Sequence, residues 1–99
     1  MAQLSDEKVK EIQKAVFELI QKNELEDANG VIQTLLENDP NDAIALNFMG
    51  IVHLELSNFH LAYQYLRRAL QERSGLAPVW VNFGLAAHEL GRNQEAINA

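Results

Sequence analysis

The sequence predicts an all-α chain, an array of helix hairpins that recur every 34 residues, with the third hairpin incomplete. Three observations carry this. Ala28, Ala62 and Ala96 stand 34 residues apart, and Gly50 and Gly84 share that spacing, each twelve residues ahead of one of those alanines. Between these small residues the apolar positions recur at steps of three and four, the period of a helix with one buried face. Turn-forming residues separate the apolar runs. A period of this length marks hairpin units that bury a continuous core only by stacking on one another.

The windows are 9–42, 43–76 and 77–99 within one domain over residues 1–99. Leu46 aligns with Trp80, Met49 with Phe83, Ile51 with Leu85 and Leu56 with Leu90; in the first window Ile12 aligns with Leu46, Leu25 with Phe59 and Leu36 with Leu70. Ser5-Asp6-Glu7 opens the first helix, with a hydroxyl to cap free amides and carboxylates at the positive end of the helix dipole. Ile12, Ala15, Val16, Leu19 and Ile20 form its apolar stripe. Asn23-Glu24 is a short break before a second helix over about 25–38. Asn38-Asp39-Pro40-Asn41-Asp42 stops that helix, because proline lacks the amide that continues a helix and Asp and Asn favour turns.

Asp42 caps a third helix over about 43–56, and Ser57-Asn58 separates it from a fourth over about 59–73. Ser74-Gly75 breaks the chain again. Pro78 falls in the first turn of the fifth helix, where its missing N–H does little harm. That helix is expected to end at Gly91, with residues 92–99 beginning a sixth that stops after about two turns. Gly50 and Ala62 in repeat two, and Gly84 and Ala96 in repeat three, are expected to let the two helices of each hairpin approach closely. Trp80, Leu46, Phe59 and Leu66 are the large residues expected to fill the remaining space.

Composition sets the outer limits. Hydrophobic residues are 47% and charged residues 22% of the 99, ordinary for a folded globular chain. With no cysteine there are no disulfides, thiolate metal sites or cysteine nucleophiles. The net charge of −6 lies wholly in residues 1–42, where four Lys face ten Asp or Glu; residues 43–99 hold four Arg and four Glu. An acidic balance argues against nucleic acid, whose phosphates require a basic face, and against anionic membrane surfaces. No apolar run reaches the roughly 20 residues that cross a bilayer. The polar, acidic N-terminus lacks the pattern of a secretory signal, so a cytoplasmic location is expected.

The spacing resembles the tetratricopeptide repeat. Where that family alternates large apolar residues with obligatory small ones, repeat two has Leu46, Met49, Gly50, His53, Ala62, Leu66 and Ala69, with Ser74 in the place of the usual proline. Repeat three has Trp80, Phe83, Gly84, Ala87 and Ala96. Repeat one departs from the pattern, having Val16 where a small residue is expected, but it keeps Ile12, Ala15, Leu19, Ala28, Ile32, Leu35 and Pro40. The resemblance spans about 90 of the 99 residues. It implies a right-handed α-α superhelix whose first helices line a concave groove. Carried residue by residue, the groove would present Gln13, Phe17 and Ile20 from repeat one, with Lys10, Lys14 and Gln21 beside them. Repeat two would offer Ile44, Asn47, Ile51 and Leu54, flanked by Phe48 and Glu55. Repeat three would offer Val81, Asn82, Leu85 and His88, flanked by Pro78 and Glu89.

That surface is apolar where a solvated helix face carries charge, and apolar patches of a few hundred Å² usually mark interfaces. Family members that grip a free carboxylate of chaperones use Lys, Arg and Asn at places held here by Gln13, Phe17, Phe48, Pro78 and Asn82, so the cationic clamp is absent. The expected function is therefore a protein–protein interaction module accepting a helical or extended apolar segment of a protein partner. The alternatives are homo-oligomerisation through the uncovered C-terminal end, near Ala87, Leu90 and Ile97, or service as the substrate-recruiting N-terminal domain of a larger enzyme such as a glycosyl- or sulfotransferase. The chain would then be a piece of a longer protein.

No catalytic, cofactor or metal site is expected. His53, His60 and His88 lack the i, i+4 spacing of a helical metal pair. The five glycines lie singly, so no phosphate-binding loop forms. Ser5, Ser57 and Ser74 read as caps or turns. His53 reads as an interior histidine held by a hydrogen bond, and Arg67, Arg68 and Arg73 as a solvated convex face.

Overall fold

A computed structural model describes the backbone of residues 3–98 and the side chains of residues 3–92. Five α-helices follow one another: α1 (Asp6–Gln21), α2 (Leu25–Asn38), α3 (Ala43–Glu55), α4 (Phe59–Glu72) and α5 (Ala77–Asn98), with no strand among the described residues. The caps are those the sequence predicts. The Ser5 hydroxyl accepts from the Lys8 amide at 3.1 Å. The Asp42 carboxylate accepts from the amides of Ile44 and Ala45 at 3.0 and 3.1 Å. Each satisfies amides that the first helical turn leaves without a carbonyl.

The turns repeat as closely as the helices. After α1, Lys22 donates to the Glu18 carbonyl at 3.1 Å, Asn23 to Ile20 at 3.0 Å and Glu24 to Leu19 at 2.8 Å. After α3, the equivalent residues bond in the same order: Leu56 to Val52 at 3.1 Å, Ser57 to Leu54 at 3.0 Å and Asn58 to His53 at 2.8 Å. Both turns hinge on one left-handed residue, Asn23 and Ser57, each with φ of 60°. In the third window that place belongs to Gly91, the residue that adopts this conformation at least cost. The chain nevertheless does not turn there. α5 runs unbroken through Gly91 to Asn98. Continuing α5 through this residue costs only the poor helix propensity of one glycine, about 1 kcal/mol.

Each helix packs on the next in sequence; α1 also touches α3, and α3 touches α5, whereas the backbones of α2 and α4 make no close approach. Two apolar clusters form the core. The first joins Val16 of α1, Ala28, Ile32 and Leu35 of α2, and Ala45, Met49 and Val52 of α3. The second joins Leu46 of α3, Ala62, Leu66, Ala69 and Leu70 of α4, and Val79 and Ala86 of α5. Thus α3 is wedged between the two and contributes to both. This is why it is apolar nearly all round.

The close approach expected at Gly50 is present. A methyl group there would lie 2.5 Å from Leu66 Cγ, so only glycine lets α4 come this near. Its partner is Leu66 rather than Ala62, which is fully buried in the same cluster. Two expectations for repeat three fail. Gly84 has nothing within 4 Å of where a Cβ would be. Trp80 is 52% exposed rather than core, and Val79 takes the buried place. Both failures have one cause: the helix that would lie across Trp80 and Gly84 does not fold back. Ala96 and Ile97, on which the expected third hairpin also rested, have side chains outside the described residues.

Candidate functional site

The residues expected to line a groove fall on three helices that neighbour one another, α1, α3 and α5. They do not share one environment. Phe17, Val81 and Leu85 are 54%, 71% and 49% exposed, open apolar surface that nothing in the fold requires. Gln13, Ile20, Ile44, Asn47, Ile51, Leu54 and Asn82 are half-buried, and His88 is exposed. Ile20 packs against the first core cluster and Leu54 against the second, so part of each side chain is core. Phe48 also packs against the first cluster. The expected residues are therefore mixed in exposure: Phe17 on α1 and Val81 with Leu85 on α5 are exposed, and those on α3 are half-buried.

A polar pair lies among the half-buried residues. Asn82 Nδ2 donates to Asn47 Oδ1 at 3.1 Å, tying α5 to α3. The repeat period aligns Asn47 with Val81, so nothing in the spacing announced this bond; it spans 35 residues. No buried side-chain nitrogen or oxygen among the described residues lacks a partner. The unused groups of the two amides are therefore not fully buried.

His53 faces the other way, into the α3–α4 hairpin. Its ring stacks on Tyr65 with centroids 5.5 Å apart and planes 2° from parallel, and Asn58 Nδ2 donates to its Nδ1 at 3.4 Å. Burial pushes the imidazole below its ordinary value by penalising the charged form. The histidine expected in the interior is thus hydrogen-bonded and stacked but only half-buried. Elsewhere, Trp80 stacks edge-on against Phe83 and donates its indole N–H to the Ser74 carbonyl at 2.7 Å. Leu56 and Leu61 are further exposed apolar residues, outside the expected groove. The alignment of Leu56 with Leu90 identified it as a repeat position but not as an open one.

On α4, Arg67 and Arg68 are exposed, and Arg68 Nη2 donates to the Pro40 carbonyl at 3.2 Å. Among the described residues no group of three His, Cys, Asp or Glu is placed to hold a metal ion. None of the described helices is long and apolar enough to cross a membrane. The chain matches no family model, and no curated protein matches it.

Proposed function

We propose that the chain is a tetratricopeptide-type superhelix that binds a protein partner along the face made by α1, α3 and α5. The observation that carries this is the exposure of the apolar residues Phe17, Val81 and Leu85. Burying such side chains against a partner is worth about 25 cal/mol per Å² of apolar surface removed from water, before the costs of association. Two features support the superhelical arrangement. The backbones of consecutive odd-numbered helices approach closely while those of α2 and α4 do not, which curves an array toward its odd helices. The turns at Asn23 and Ser57 repeat hydrogen bond for hydrogen bond.

The test uses peptides selected from a random library on the intact protein. Val81→Glu with Leu85→Glu places two carboxylates on exposed positions, so circular dichroism should stay unchanged while peptide affinity falls by at least about tenfold. Selected peptides that bind this variant as well as the original chain refute the groove. A second reading is self-association through the open side of α5, favoured by the exposure of Trp80 and by the empty space at Gly84. Sedimentation across a range of concentrations decides it, and a concentration-independent monomer excludes it.

A further inference from the structure

We infer that the outer face of α4 is a docking surface for the acidic first hairpin of a second copy of this chain. The inference stands apart from the groove reading, because α4 carries none of the groove residues.

α2 and α4 hold equivalent places in the repeat and are opposite in charge. α2 has Glu26, Asp27 and Glu37 and no Lys or Arg. α4 has Arg67 and Arg68 against one carboxylate, Glu72, and Arg73 follows immediately. The two excesses do not neutralise each other within one chain, since the backbones of α2 and α4 make no close approach. Among the described residues the ion pairs are Lys8 with Glu11 and Arg92 with Glu89, so none of these charges on α2 and α4 is paired. The acidic excess of the whole chain lies in residues 1–42, which makes its own first hairpin the complement of α4.

The two surfaces differ in lining as well as in charge. A depression of about 390 Å³ on α4 is lined by His60, Tyr63, Gln64, Arg67 and Arg68, all able to donate hydrogen bonds and none a carboxylate. Another, of about 440 Å³, lies at the first turn of α2, where Glu24, Glu26 and Asp27 surround apolar surface from Leu25 and the exposed Leu56. An arginine suits the acidic depression, because its methylene stem packs on apolar surface while its guanidinium forks onto carboxylates. An exposed ion pair alone is worth little, but a contact that also covers Leu56 and the exposed Leu61 of α4 removes apolar surface from water. At physiological salt, charges more than about 8 Å apart are largely screened. The repulsion between two chains of net charge −6 therefore fades while the short contacts persist.

The test is sedimentation of the whole chain at a series of concentrations in about 0.15 M salt. The original chain should associate reversibly. Arg67→Glu with Arg68→Glu should weaken that association at least about tenfold with circular dichroism unchanged. Glu26→Lys with Asp27→Lys should do the same. An equimolar mixture of the two double variants should recover a one-to-one complex, because each keeps the face that the other lacks. Should a reversal unfold the chain, the neutral pairs Arg67→Gln with Arg68→Gln and Glu26→Gln with Asp27→Asn take its place, and each should weaken association. A concentration-independent monomer overturns the inference, and so does a mixture of folded reversal variants that stays monomeric. Association that survives the arginine variants but is lost in Val81→Glu with Leu85→Glu lies on α5 and overturns it as well.

Discussion

Gly50 lies under Leu66, so close that one added methyl would sit 2.5 Å from its Cγ; Gly84, at the same place in the next window, has nothing within 4 Å. The residues match and the environments do not. Around Gly50 the chain turns at Ser57 and returns α4 across α3, burying Leu46 and Leu66 completely. Around Gly84 the chain runs straight on, and Trp80 is left half in water. A repeat pattern specifies which faces are prepared for burial. Whether a face is buried depends on a neighbour arriving.

The largest effect that breaks this comparison is Leu66→Ala, which empties the space over Gly50 and should cost about 2–5 kcal/mol in denaturant unfolding. Gly50→Ala should cost about 1–3 kcal/mol through overpacking, and most of that penalty should vanish in the Leu66→Ala background. If the two costs simply add, Leu66 is not what fills the site.

Gly84→Ala should do the opposite and raise stability by about 0.5–1 kcal/mol, because an open helical position gains propensity and meets no neighbour. A loss there would show that another helix does lie across α5 in solution.

The smallest effect is a pH dependence confined to the packed hairpin. Burial holds His53 below its ordinary value, so the folded state binds the proton less readily than the unfolded chain. Its contribution is fully present above the unfolded value of about 6.5 and is lost as the pH falls through the lower folded value. Stability should therefore decline on mild acidification, and His53→Gln should flatten that part of the profile.

Much of this was legible in the residues. Ser5, Asp42 and Pro78 mark helix starts because their chemistry is local: a cap needs only the next three amides, and a proline constrains its own backbone. Leu46 and Gly50 were legible as recurring large and small positions, matched by Trp80 and Gly84, but the meeting of Gly50 with Leu66 was not. The course of the chain at Gly91 was not. Its glycine permits a left-handed turn and a helix alike, and packing beyond the residue decides between them. Nor was the exposure of Trp80, which follows from that decision. The Asn47–Asn82 bond was hidden for a different reason. It joins residues 35 apart, which the 34-residue period does not align, and period analysis carries no information on which side chains meet between neighbouring helices. Of the residues proposed for the groove, Phe17, Val81 and Leu85 are exposed, whereas Ile20 and Leu54 are half-buried because each packs against one of the two core clusters.

Trp80 is the sole tryptophan, it is half-exposed, and its indole N–H is tied to the Ser74 carbonyl in the loop between α4 and α5. The molecule therefore carries its own optical reporter. Indole emission moves to shorter wavelength as water leaves the ring, and Trp80 adjoins the exposed Val81. A ligand or second copy that covers this edge of α5 should announce itself as a blue shift in an unlabelled titration. Loosening of the loop should send the emission the other way, so one cuvette distinguishes occupancy from fraying.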